Sequence, residues 1–438
     1  MQEVRSFVRD AVSAFNSKDT DGVCNLIMLD EGHDRLEQLQ QALYNMTEES
    51  IRSTVEAEMK KGPQDVKDFI TKYLLFTIAS GVETSRMADV YELLVACYLS
   101  FLTLFQAQDG GWLTPLLMSL SHSLIGWALF ADDEQQQQDE NLRQSGKPAL
   151  KKREPKIREA ASQHLSKAFS IAANDRSPEA SKKTALFYLA NQMLRVYFKA
   201  SYARHLKQIQ PLAINYRTNR GLRSTRLVQT LMNNVRNAKV NLAEYPMSEQ
   251  VTYQYYVGRY HLYQSNLRDA ERELAFAFNH RPPLGMDEHE NRITYGNTRL
   301  ILIYLTACRL CLGRLPSYHL LAEYGLDRYF QPLVDAVKTG HLGKLEAAWE
   351  DPASMSWFVS REIYLLLKQK LPVLCWRSLI RRTCLASRGP NDPPQMRVDL
   401  EALLHVVRKL TGDDTFDIWD VECITASLGR RVDIQDIV

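Results

Sequence analysis

Lys368, Lys370, Arg377, Arg381, Arg382 and Arg388 fall in one C-terminal stretch around Trp376, and they are the residue types that grip phosphate. Arg377 and Arg381 are four apart and share a helix face, with Arg382 beside them. Two readings stay open. Such arginines contact phosphates in helices of the helix-turn-helix class, and they also occur as plain solvated charge. Cys308 and Cys311 form a CxxC, but inside an apolar stretch with no second pair and no nearby His, so they are expected in the core and not on a metal. Asp287, Glu288, His289 and Glu290 offer cation ligands, yet four adjacent loop residues cannot converge on one ion, and a solvated loop is expected. Tyr253, Tyr256, Tyr260 and Tyr263 could stack on bases, but their spacing matches the apolar face of a helix, which predicts packing. There is no phosphate-cradling glycine loop, HExxH, nucleophile elbow or kinase signature, so neither an enzyme nor a cofactor is expected.

The elements that would position these residues are helices almost everywhere. From Val251 the chain runs VTYQYYVGRYHLYQSNLRDAERELAFAFNH. Tyr253, Tyr256, Val257, Tyr260 and Tyr263 stripe one helix, Gln264 to Asn266 interrupt it, and Leu267, Ala270, Leu274, Ala277 and Phe278 stripe the next. Gly258 and Ala270 are small where the two could cross closely. After an expected loop from Arg281 to Gly296, Arg299 to Leu312 is apolar nearly all round, as a buried central helix should be. Shorter helices with turns at Gly325 and Gly340 follow. Upstream, helices are predicted over Met1 to Asn16, Leu26 to Tyr44, Ser50 to Lys61, Asp65 to Ile78, Met87 to Phe105, Ile157 to Ala173, Thr184 to Ala200 and a basic Ser224 to Lys239. Asp132 to Lys156 lacks apolar periodicity, contains a glutamine run and turns from acidic to basic, which predicts a solvated insertion. Its KKREPK is either a localisation or phosphate-contacting patch or simple solvated charge. Beyond Pro352, short helices are expected over Arg361 to Gln369, Val373 to Arg382, Val398 to Leu410 and Phe416 to Ser427, the first pair separated by Lys370 and Pro372.

The 438 residues carry 45% apolar side chains and a formal net charge of +2, so nucleic-acid affinity could only be local. Seven scattered cysteines suit a reducing compartment. The charged N-terminus lacks the apolar core of a signal peptide. Gly110 to Ala131 is the one membrane candidate, but Ser119, Ser121, His122 and Ser123 stand at its middle, and a buried pair with Tyr91 to Phe105 is expected instead.

YYVGRYHLYQSNLRDAERELAFAF, LILIYL, VDAVKTGHLGKLEAAW and REIYLLLKQKLPVLCWRSLIRR resemble the PCI domain, a tetratricopeptide-like stack of helix hairpins capped by a winged helix. The likeness runs from about Thr184 to Arg382, with ALFYLANQMLRVYFKASYARHLKQIQPL as its N-terminal extension, and weakens before Tyr91. Within the family it is to the PCI subunit of the nuclear messenger-RNA export complex docked at nuclear pores, with a signalosome-related subunit as sibling. The implied fold is all-α and superhelical, ending in a winged helix with a small β element. The implied organisation is helical repeats over 1–130, the polar insertion over 131–158, the helical part of the PCI domain over 159–350 and the winged helix over 351–438. The family continues through a glycine-rich hairpin and a strand where this chain ends in RVDIQDIV, so an altered wing is expected. The resemblance implies a non-enzymatic scaffold in the nucleus, associated with the nuclear pore. Its partners would be a large scaffold subunit with its own winged helix and a small, acidic, largely disordered subunit shared with the proteasome lid. RNA and DNA would bind weakly on a composite site of the two winged helices. The alternative is a structural subunit of a signalosome-like or proteasome-lid assembly without nucleic-acid binding.

Overall fold

Val4, Phe7, Val8, Ala11 and Ala14 return every three or four residues, and helix α1 (Gln2–Ser17) buries all five. The same logic builds nearly every element of the computed structural model, which describes residues 2–29, 34–60, 62–82, 86–144, 157–177, 181–205, 221–283, 287–387 and 398–431 and contains no strand among them. Two units form, Met1–Ser201 with Ala213–Tyr253, and Tyr202–Leu212 with Gln254–Val438.

The first unit comprises α1, α2 (Thr20–Leu26), α3 (Asp34–Leu43), α4 (Glu48–Glu58), α5 (Gln64–Ser80), α6 (Met87–Gln106), α7 (Thr114–Gln144), α8 (Ile157–Ala173), α9 (Leu186–His205), α10 (Gly221–Asn237) and the start of α11 (Met247–Tyr263). Helices α5 to α8 pack each on the next. Both α6 and the apolar part of α7 are long and apolar enough to cross a membrane. They are paired in the core, as the sequence predicts: the Tyr98 and Ser121 hydroxyls, both buried, share a hydrogen bond of 2.9 Å. Ser123 is also buried, and His122 faces outward. Buried polar atoms are matched in the same way at Lys182, whose Nζ donates to the Ala107 carbonyl at 2.7 Å and caps the end of α6 beside the Phe105 ring.

The break expected at Asp132 does not occur there. Glutamine and glutamate are good helix formers, and α7 runs through them to Gln144. Asp132 itself is only 4% exposed, and its Oδ1 accepts a 3.1 Å hydrogen bond from the Ile157 N–H at the start of α8. KKREPK lies outside the described residues.

The second unit holds the rest of α11, then α12 (Leu267–Asn279), α13 (Glu288–Cys311), α14 (Tyr318–Glu323), α15 (Asp327–Thr339), α16 (Leu342–Glu350), α17 (Pro352–Ser360), α18 (Tyr364–Ala386), α19 (Leu400–Thr411) and α20 (Ile418–Arg431). The α11–α12 hairpin closes at Gly258, where a Cβ would stand 2.6 Å from Leu274 Cγ. The loop expected up to Gly296 is shorter, because Asp287 accepts from the His289 N–H and starts α13 there, with Glu288 and Glu290 in its first turn. The acidic quartet is thus a helix start, not a ligand set.

The larger correction concerns α18. Lys370 and Pro372 predict a break between a pair of short helices, yet one helix runs from Tyr364 to Ala386 with the proline inside. Proline costs a helix interior about 3 kcal/mol, whereas each fully buried large apolar side chain returns roughly 1.5–3 kcal/mol. Leu367, Leu371, Cys375, Leu379 and Thr383, four apart, are all buried along α18, and that line outweighs the lost hydrogen bond. Two glycines let neighbouring backbones reach this helix and α19. Gly340 closes α15 at φ +72°, and a Cβ on it would meet Leu379 N at 2.5 Å; one on Gly343 would meet the Leu410 carbonyl oxygen at 2.5 Å.

Of the predicted stripe on α11 only Val257 is fully buried, and Tyr253, Tyr256, Tyr260 and Tyr263 are half-buried; Tyr263, with Tyr255 from outside the stripe, flanks a cation. Arg259 lies 4.4 Å from the Tyr304 ring centroid, with Tyr255 and Tyr263 at 5.5 and 5.7 Å. Its guanidinium donates to the Tyr263 hydroxyl at 2.8 Å and to the Tyr255 hydroxyl at 3.3 Å. Burial pushes the Tyr263 hydroxyl well above its ordinary pKa, so it stays neutral.

Two outcomes follow, both measured by urea unfolding of the full chain. Gly340→Ala combines a left-handed backbone with a clash against Leu379 and should cost about 3 kcal/mol or more. Arg259→Met, which keeps the volume but leaves the tyrosine hydroxyls unmatched, should cost about 2–4 kcal/mol.

Candidate nucleic-acid interface

Lys368, Lys370, Arg377, Arg381 and Arg382 all lie on α18, and Arg388 lies outside the described residues. The helix divides them. Lys370, Arg377 and Arg381 are seven and four apart and form one stripe, opposite the buried line of Cys375 and Leu379. Lys368 and Arg382, fourteen apart, belong to another face. Lys368 is engaged locally: its Nζ lies 5.6 Å from the Tyr364 ring centroid and donates to the Tyr364 hydroxyl at 3.2 Å. Lys370 and Arg377 are half-buried, whereas Arg381 and Arg382 are exposed and form no ion pair among the described residues. The free charge is therefore concentrated at the C-terminal end of α18.

Trp376 does not stand ready to stack on a base. It is half-buried, and its ring packs at 6.3 Å from that of Phe416. Phe416 is held in turn by Arg408 of α19, whose Nε and Nη2 donate to its carbonyl at 2.9 and 2.6 Å. Asp399 caps α19 by accepting from the Glu401 and Ala402 N–H groups, and Gly412 ends it at φ +68°. Asp417 and Asp420 cap the start of α20 reciprocally, each backbone N–H donating to the other's carboxylate.

Helices α18, α19 and α20 pack on one another. The small β element is not formed among the described residues, and RVDIQDIV lies outside them apart from Arg431. Helix α20 with its preceding turn carries Asp413, Asp414, Asp417, Asp420 and Glu422, and its two arginines, Arg430 and Arg431, stand only at its C-terminal end. Phosphates are repelled by that run, which leaves the basic end of α18, among the described residues of the expected patches, as the candidate to meet them. Sequence reasoning missed α20 as a surface, although the absence of basic residues over those positions was legible. It also missed Trp419, which stands 72% exposed on that helix.

The CxxC is in the core. Cys308 Sγ donates to the Leu267 carbonyl at 3.1 Å, and burial pushes both the Cys308 and the Cys311 thiol up to about 12.

No family model matches the chain. It is 29% identical over 429 residues to a PCI domain-containing protein of Schizosaccharomyces pombe, covering 97% of this chain and 88% of that protein. With PCI domain-containing protein 2 of Xenopus laevis it shares 30% identity over 343 residues, 78% of this chain and 72% of the relative. The chain belongs to the PCI domain-containing protein family. A further relative, the protein CSN12 homolog of Neurospora crassa, is 26% identical over 414 residues, which span 88% of this PCI protein and 83% of that one. Membership fits the all-helical hairpins of the second unit and supports a structural subunit of a multi-subunit assembly.

Because the PCI chain's thiols differ so sharply in access, native maleimide labelling followed by mass spectrometry should modify Cys423 first, the one exposed cysteine of the seven. Cys97, Cys308, Cys311 and Cys375 should react only after denaturation, since both burial and the scarcity of thiolate protect them.

Proposed function

We propose that this chain is a non-enzymatic scaffold subunit of a nuclear complex coupling transcription to messenger-RNA export at the nuclear pore, and that α18 to α20 form its half of a composite RNA- and DNA-binding platform. The observation that carries the nucleic-acid role is the exposed Arg381 and Arg382, joined by the half-buried Arg377, on a helix held rigidly by a buried line of side chains. Three arginines are too few for tight binding alone. The other half of the site falls to a large partner subunit with a basic winged helix of its own. A small, acidic, largely disordered subunit completes the assembly, and the chain inserts in no membrane.

A second reading has its own support. The relative named CSN12 homolog favours a signalosome-like assembly, and the acidic run from Asp413 to Glu422 suits a purely structural role.

One measurement separates the two readings. Arg377, Arg381 and Arg382 are replaced together by glutamate, the variant is assembled with the subunits that co-purify with the native chain, and binding to single-stranded RNA is titrated at several salt concentrations. Most of the affinity should be lost and the slope of log K against log salt should fall by about 2, since each single-strand phosphate contact contributes about 0.7. The complex should still assemble, because the exposed Arg381 and Arg382 contribute little to stability and the half-buried Arg377 lies on the side of α18 away from its buried line. Unchanged RNA affinity in the intact variant complex would sink the platform and leave the structural reading.

A further inference from the structure

Helix α20 is amphipathic, with Val421 and Leu428 buried and Ile418 and Ile424 half-buried on its inner side. Its outer side is composed unlike an ordinary solvated face. Trp419 is 72% exposed there, and Glu422, Cys423 and Ala426, at three, four and seven residues beyond it, are exposed on the same side. Asp420 flanks the tryptophan. A large ring at one end and small Cys423 and Ala426 along the next two turns let another helix approach closely, over a length of about 10 Å. Tryptophan is also the residue most enriched among side chains that dominate protein interfaces. The charge around it selects the occupant. Five acidic residues and no basic one between Leu410 and Gly429 repel nucleic acid and acidic segments and attract a cationic one. An indole face is, moreover, the best aromatic partner for a guanidinium or ammonium.

We propose that the Trp419 face of α20 is the docking surface for a cationic amphipathic helix of a partner protein, one of whose arginines or lysines lies over the indole while its neighbours pair with Asp420 and Glu422. The proposal rests on the scaffold reading only in requiring a protein partner; it does not require α18 to bind nucleic acid.

The probe is a fluorescein-labelled synthetic helix with leucine and arginine on one face, titrated against the full chain by anisotropy. A second peptide of the same composition has those residues scattered around the helix. Trp419→Ala should weaken binding of the first peptide at least tenfold, and Asp420→Asn with Glu422→Gln about fivefold, with the far-ultraviolet circular dichroism of each variant unchanged. The scattered peptide should bind at least tenfold more weakly. Capping Cys423 with a bulky maleimide, which needs no substitution, should block the first peptide as well. Equal affinity in Trp419→Ala, or equal binding of the two peptides, would overturn the proposal, as would displacement of the peptide by single-stranded RNA. Loss of RNA binding on substituting the α18 arginines, or its persistence, bears on the platform reading alone and leaves this test intact.

Discussion

The second unit depends on one line of buried side chains, Leu367, Leu371, Cys375, Leu379 and Thr383 along α18. Helices α13, α15, α16, α17, α19 and α20 all pack on that helix, so its continuation through Pro372 decides where each of them can go. The glycines at 340 and 343 are the counterpart of that constraint. Without a Cβ, the turn between α15 and α16 brings its backbone against Leu379 and the Leu410 carbonyl, and no larger residue could stand as close. The rigidity of α18 is also what gives its exposed arginines a fixed geometry, since a side chain on a well-anchored helix is better placed than one on a loop.

Several of the polar groups taken into the interior are matched by hydrogen bonds in both units. Lys182 caps two carbonyls at the end of α6, the Tyr98 and Ser121 hydroxyls satisfy each other, and Arg259 sits among three tyrosine rings and donates to two of their hydroxyls. An unmatched group in such surroundings costs more than a matched one contributes, so these arrangements discriminate against alternative packings more strongly than they add to stability. Arg259 illustrates the point. Tyr255 and Tyr263 of α11 pack about a charge, which a purely apolar pattern would not reveal.

Charge is segregated along the C-terminal helices. Arg381 and Arg382 stand exposed on α18, while the run from Asp413 to Glu422, in the start of α20 and the turn before it, is acidic around an exposed tryptophan. A surface with two such poles can meet two chemically different partners at once without either competing for the other's contacts. That separation is what a subunit joining a protein assembly to a polyanion would need.

Helix periodicity alone determined most of the element pattern: the hairpin at 251 to 279, the buried pair of α6 and α7, the core placement of Cys308 and Cys311, and the positive-φ turns at Gly325 and Gly340 are all legible in spacing and residue type. These are local properties, set by which residues recur every three or four positions and where glycine interrupts them. Tertiary structure decided what depends on a neighbour distant in sequence. Pro372 lies inside a helix because other helices bury its flanking leucines, Asp132 is interior because α8 begins beside it, and Arg259 is caged because Tyr304 arrives from α13. The basic cluster read as one patch became two faces once α18 proved continuous, since the unbroken helix brings Lys370 into line with Arg377 and Arg381 and leaves Lys368 on another face. In each case the local pattern allowed more than one outcome, and burial against a particular partner selected among them, because a single long-range contact outweighs the small differences in intrinsic propensity.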